Sequence, residues 1–154
     1  MTSLEVLAPC PGRVMAMTDV PDPVFAEGMV GPGVAIDPDP GPTTVVAPIA
    51  GTVLKVLPHA FVVLGEGVGV LVHLGINTVR LDGEGFEVLA TQGSEVAAGD
   101  PMITWDPSTL PSTAAGLDVS PVVPVVLMDA EKGSVASDAL GEQVAAGDLL
   151  FATP

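Results

Sequence analysis

The sequence predicts an all-β domain, a sandwich or barrel with at most short helical turns. Eighteen glycines and sixteen prolines among 154 residues interrupt the chain too often for long helices. Short valine-rich runs recur between clusters of Gly, Pro and Asp, a spacing that belongs to strands of a sandwich or barrel rather than to alternating β-α units. Aromatic residues make up only 3% of a chain that is 48% hydrophobic, so the core must be built from Val, Leu, Ala and Ile.

The strand candidates, in order, are residues 44–46, 52–57, 60–64, 68–74, 86–90, 122–127 and 149–152. Residues 37–42, reading Asp-Pro-Asp-Pro-Gly-Pro, form a turn-rich surface loop and not a linker, because too little chain precedes them to fold alone. The length fits one domain spanning residues 1–154 with a single core. One internal echo stands out: Gly93-Ser-Glu-Val-Ala-Ala-Gly-Asp100 resembles Gly141-Glu-Gln-Val-Ala-Ala-Gly-Asp148. Two copies do not make a solenoid, and the echo reads as one turn used twice, at corresponding corners of two sheets.

Charge narrows the function classes. Four basic residues (Arg13, Lys55, Arg80 and Lys132) face nineteen acidic ones, for a net charge of −15. Such a chain cannot neutralise a run of phosphates, which excludes nucleic acid, and an anionic membrane surface repels it. A protein partner should offer a basic patch, met at a rate that falls with salt. The longest apolar runs, around residues 122–128, fall far short of the roughly 18 residues of a membrane span. No secretory signal is evident, and a single cysteine leaves no internal disulfide, so the chain reads as cytoplasmic.

Most catalytic motifs are missing. There is no Walker pattern, HExxH or GxSxG, and one cysteine allows no CxxC. Gly65-Glu66-Gly67 and Gly83-Glu84-Gly85 lack phosphate-loop spacing and carry a Glu that repels phosphate, so both read as hairpin turns. Cys10, between Pro9 and Pro11, has no His nearby to activate it.

The only two histidines carry the chemistry. Residues 59–64 and 68–73 flank Gly65-Glu66-Gly67 as a hairpin, and a three-residue loop wants its glycine last, where Gly67 stands. With Leu64 opposite Val68, His59 falls opposite His73 and Phe61 opposite Leu71, all on one face. Two crowded imidazoles disfavour double protonation, so at least one is neutral near pH 7, and a neutral imidazole is a nucleophile or a metal ligand. A zinc site would need a third ligand such as Asp22 or Asp82. In a phosphoryl carrier one imidazole takes the phosphoryl group while the other, helped by backbone N–H groups, holds its oxygens.

At these residues the sequence resembles the glucose-type enzyme IIA family of the bacterial phosphoenolpyruvate-dependent sugar phosphotransferase system. The matching segments are Val20-Pro-Asp-Pro-Val-Phe25 through Ile36, Ala47-Pro-Ile-Ala-Gly-Thr-Val53, His59-Ala-Phe61, Val70-Leu-Val-His-Leu-Gly-Ile-Asn-Thr-Val79 and Gly83-Glu-Gly-Phe86, with similarity reaching Gly147-Asp148. The resemblance implies a flattened antiparallel β-sandwich and a phosphotransferase component that works through a phosphohistidine, with no required cofactor. It implies that His73 is phosphorylated at Nε2 and that His59 contacts the phosphoryl oxygens. Phe25, Phe61 and Leu71 fall where the family has an apolar docking rim, and Asp22 where a carboxylate engages an arginine of the donor. The implied donor is the histidine carrier protein HPr. The implied acceptor is a cysteine of the enzyme IIB domain of a glucose or N-acetylglucosamine permease. Some relatives also regulate other proteins by docking, which leaves open a zinc ion bridging His59 and His73 to a partner carboxylate.

Two departures from the family pattern stand out. The family often has Thr-x-His before the companion histidine, whereas this chain reads Val56-Leu57-Pro58-His59, so the positioning of His59 must differ. The family's Gly-Ile-Asp-Thr is here Gly75-Ile76-Asn77-Thr78, and the lost charge at Asn77 is expected to weaken the arginine contact and shift its burden to Asp22. Rival classes fit less well: a lipoyl- or biotinyl-type carrier would need Lys132 at a hairpin tip, without the usual flanking pattern. The chain ends soon after the last strand, so a stand-alone carrier is expected.

Overall fold

Alternation of valines with turn residues produces fifteen short strands in a computed structural model that describes residues 4–128, 130, 131 and 134–153; Lys132 lies outside the described residues. The strands are β1 (Glu5–Leu7), β2 (Gly12–Ala16), β3 (Gly33–Pro38), β4 (Thr43–Val46), β5 (Gly51–Leu57), β6 (Ala60–Gly65), β7 (Val68–His73), β8 (Glu87–Val88), β9 (Glu95–Val96), β10 (Pro101–Trp105), β11 (Thr113–Ala114), β12 (Leu117–Asp118), β13 (Val123–Leu127), β14 (Gln143–Val144) and β15 (Leu149–Ala152). The one α-helix among the described residues, α1 (Pro23–Ala26), is a single turn, joined by 3₁₀ turns at Met17–Asp19, Thr78–Leu81 and Pro107–Thr109. All pairings are antiparallel in an eight-stranded sheet ordered β14-β2-β3-β13-β7-β6-β5-β9 and smaller sheets β4-β10-β8, β1-β15 and β11-β12. The expected all-β sandwich is the observed fold, although the candidate strand 86–90 shrinks to two residues: the Phe86 N–H turns back to the Gly83 carbonyl, and the N–H groups of Leu89 and Ala90 share the Met102 carbonyl.

The eight-stranded sheet packs apolar side chains on both faces. One face packs Phe61, Val63, Val70, Val72 and Val125 against Val6, Val45, Ile103 and Phe151 of the smaller sheets, forming the main core. Its other face carries a second cluster in which Ala35, Val122 and Val126 meet Met17, Val20 and Phe25 from the two helical turns, with Leu71 at its margin. Central strands buried on both faces read as continuous apolar runs, and Val123–Leu127 is buried throughout.

The internal echo has a structural counterpart at opposite edges of this one sheet, rather than at corners of two sheets. In each copy the Asp side chain accepts from an alanine N–H three residues earlier (Asp100 from Ala97, Asp148 from Ala145, both 2.8 Å). In each copy the following pattern repeats as well: Gly99 and Asp100 bracket Ala47 as Gly147 and Asp148 bracket Ala8. β9 and β14 thereby cap the sheet at its two ends.

The β6–β7 hairpin forms where expected, but one residue out of the expected register. Gly65 pairs Val68, so the loop is two residues, Glu66-Gly67, both with positive φ (52° and 78°). That is the hairpin turn whose twist matches the strands, and it requires left-handed backbone at both positions. Ala60, not His59, therefore faces His73, and Phe61 faces Val72, not Leu71. A one-residue slip exchanges the faces of a strand. Phe61 thus lies in the main core at 1% exposure, which removes it from any docking rim.

Candidate functional site

The two histidines still meet, by a different route. His73 ends β7 on the face opposite the main core, in line with Leu71. His59 belongs to no strand; it sits in the Pro58-His59 turn between β5 and β6, and its carbonyl accepts from the Leu74 N–H at 2.7 Å. That bond continues the β6–β7 ladder one step beyond Ala60 and His73. His59 and His73 become diagonal neighbours, with ring centroids 5.1 Å apart and planes 72° apart. As expected from the missing Thr-x-His pattern, His59 is held differently here, by this backbone bond to Leu74 with Pro58 before it.

The remaining expected residues are placed around His73 as follows. The Phe25 ring tilts against it with centroids 5.2 Å apart, and at 8% exposure it is a wall of the site more than a rim. Asp22 caps α1, its Oδ1 accepting from the Val24 N–H at 2.9 Å, and so fixes the turn that carries Phe25. Its charge reaches His73 as well, acting to raise the histidine's pKa. Leu71 is partly exposed beside the second cluster. Asn77 is left-handed at φ 61°, and its amide donates to the Asp118 carbonyl at 2.7 Å, so this side chain is engaged inside the protein. Sequence reasoning assigned no role to Thr78, which is fully buried and donates its hydroxyl to the Leu74 carbonyl at 2.6 Å. Nor did it single out Val24 and Val79, neighbours in the chain of Phe25 and Thr78, which are exposed at 44% and 51%.

The electrostatics favour neutral rings. Burial pulls the pKa of His73 below the ordinary 6.5, outweighing the Gly75 carbonyl and Asp22, which act to raise it. Burial also lowers His59, and the charge of His73 adds to that effect. The Gly75 carbonyl lies 2.5 Å from Nδ1 of His73. A carbonyl only accepts, so Nδ1 carries the proton and Nε2 keeps its lone pair. A neutral imidazole with a free Nε2, beside a second neutral ring, suits nucleophilic attack on phosphorus.

A zinc site built from this chain alone fits less well. Among the described residues no three His, Cys, Asp or Glu side chains are grouped to hold an ion, so the histidine pair lacks the third ligand that Asp22 or Asp82 was considered for. Cys10 is fully buried and its thiol is pushed up to about 12, chiefly by burial, so it is inert. Among the described residues no helix is long and apolar enough to cross a membrane.

Comparison with known proteins points the same way. Residues 4–133 match the family model described as "phosphoenolpyruvate-dependent sugar phosphotransferase system, EIIA 1". The chain is 42% identical over 132 residues to the PTS system glucose-specific EIIBCA component of Corynebacterium glutamicum, covering 84% of this chain but 19% of that protein. It is 42% identical over 123 residues to the PTS system glucose-specific EIIA component of Staphylococcus aureus, covering 78% of this chain and 72% of that one. Its fold superposes on glucose permease IIA from Mycoplasma capricolum with a TM-score of 0.81 and 34% identity, over 99% and 96% of the two chains. The chain thus spans about a fifth of the fused relative and most of the separate ones. With the two-histidine site on this fold, the chain belongs to the glucose-type enzyme IIA family of the phosphoenolpyruvate-dependent sugar phosphotransferase system.

Proposed function

We propose that this chain is a phosphoryl carrier, taking a phosphoryl group from phospho-HPr onto Nε2 of His73 and passing it to the cysteine of an enzyme IIB domain of a sugar permease. The observation that carries the reading is the hydrogen bond from His73 Nδ1 to the Gly75 carbonyl, which leaves Nε2 as the nucleophile. The Nε2 lone pair attacks phosphorus in line. The new N–P bond forms as the donor's breaks, and that electron pair returns to the donor imidazole. The Nδ1 proton stays in place, and its carbonyl partner stabilises the cationic ring formed by phosphorylation. A thiolate of the acceptor later attacks phosphorus, and the N–P pair returns to Nε2. His59 donates a hydrogen bond to the phosphoryl oxygens, so catalysis consists mainly of placement.

Docking falls to the exposed Val24 and Val79 and the partly exposed Leu71, with Asp22 as the carboxylate for a basic donor. Intact-mass spectrometry after incubation with phosphoenolpyruvate, enzyme I and HPr tests the reading. One acid-labile phosphoryl group should appear on the parent, be absent from His73→Gln, and be accepted but poorly passed on by His59→Gln. A His73→Gln protein phosphorylated like the parent would overturn it.

A further inference from the structure

The Gly75 carbonyl that fixes the His73 proton belongs to a loop that other residues hold in place. Gly75 itself has φ +82°, and a Cβ there would lie 2.5 Å from Thr78 Cγ2 and 2.8 Å from the Ser120 carbonyl oxygen. The Thr78 hydroxyl closes the loop onto the Leu74 carbonyl, one peptide before Gly75. One residue after Gly75, Ile76 bridges to Ser120, its N–H donating to the Ser120 carbonyl at 2.8 Å and its carbonyl accepting at 3.3 Å. Next comes Asn77, in the left-handed conformation that Asn and Asp tolerate best, with its amide on the Asp118 carbonyl. The peptide that presents the Gly75 carbonyl is therefore clamped on one side by Thr78 and on the other by residues 118–120.

We propose that Asn77 and Thr78 are positioning residues for His73: by clamping the loop they keep the Gly75 carbonyl on Nδ1 and the phosphoryl-accepting lone pair on Nε2, and Asn77 acts through Asp118 rather than through a partner. The proposal rests on the reading of His73 as the acceptor. Aspartate at position 77 could adopt the same backbone conformation, but it has no N–H to give the Asp118 carbonyl and would bring a charge against it. In this chain the amide therefore acts as a latch within the protein. The segment running from β12 towards β13, some forty residues away in sequence, thereby helps to set the tautomer of the reactive histidine.

The test uses the full chain with ¹⁵N-labelled histidine rings, in the parent, Asn77→Asp, Thr78→Val and Thr78→Ser. In the unphosphorylated parent His73 should show a protonated Nδ1 and a free Nε2. Thr78→Val should move a measurable fraction to the other tautomer and slow phosphoryl uptake by about tenfold, since small misplacements of a reacting group have effects of that order or larger. Thr78→Ser should restore both. Asn77→Asp, which is nearly isosteric, should slow the limiting rate without improving the apparent affinity for phospho-HPr. Faster uptake by Asn77→Asp through tighter HPr binding would overturn the proposal in favour of a partner contact at this position. Unchanged tautomer and rate in both Asn77→Asp and Thr78→Val would also overturn it. The ring spectra need no donor, so a parent with the expected tautomer but no uptake would refute the carrier reading while the tautomer shifts still decide the positioning roles.

Discussion

Phe61→Ala tests the observed hairpin register. Phe61 is 1% exposed and lies in the main core, opposite Val72 and on the same face as Val63 and Val70. Truncating a fully buried phenylalanine costs about 3–5 kcal/mol, from lost transfer energy and the cavity left behind. Set against a total stability of about 5–15 kcal/mol, that is a large fraction. At a urea slope of about 2 kcal/mol/M, the unfolding midpoint should fall by roughly 1.5–2.5 M. Leu71→Ala, on the partly exposed opposite face, should cost about 1–2 kcal/mol and should weaken docking of the phosphoryl donor instead. Equilibrium urea unfolding followed by circular dichroism, beside phosphoryl uptake under folded conditions, separates the two effects. If Phe61→Ala stayed within 1 kcal/mol of the parent while losing affinity for the donor, the residue would be on the docking rim and the register argument would be wrong.

Three further outcomes follow from the site. Gly75→Ala should lower the Tm by roughly 2–8 °C from about 1–2 kcal/mol of left-handed strain alone, at about 2–4 °C per kcal/mol for a domain of this size, and further through the close approach to Thr78 and Ser120; a parental Tm would refute the loop geometry. Asp22→Asn keeps a good cap for α1 but removes the charge, so folding should be nearly unchanged while uptake from a basic donor slows, most at low salt. An equal rate at low ionic strength would remove Asp22 from docking. Both histidines have folded pKa values below the ordinary 6.5, so the unfolded chain takes up protons first as pH falls. Their contribution to stability is complete above about pH 6.5 and is lost progressively below it. The parent should therefore lose more stability between pH 7.5 and 5.5 than a His59→Gln/His73→Gln double variant, and parallel curves would contradict the assigned shifts.

The sequence by itself determined the class of fold, most of the longer strands, the position of the β6–β7 hairpin and the pair of histidines that the fold brings together. Valine-rich runs and glycine turns are local signals, and a chain with only two histidines leaves little choice of imidazole. The register was not legible. Gly65-Glu66-Gly67 supports a three-residue loop with one left-handed glycine, but also a two-residue loop if Glu66 takes φ 52°, as it does. Alternation could not choose between them, because Ala60, Val62 and Leu64 on one face are as apolar as Phe61 and Val63 on the other. Tertiary packing chose, by placing Phe61, Val63, Val70 and Val72 together against the smaller sheets. The same holds for the support of His73. Asn77 and Thr78 look like members of a motif, yet their partners are a carbonyl forty-one residues away and one four residues back in a reversed loop. Hydrogen bonds across such distances depend on the packed sheet that brings residues 118–120 beside the end of β7, and no local pattern in the chain encodes that meeting.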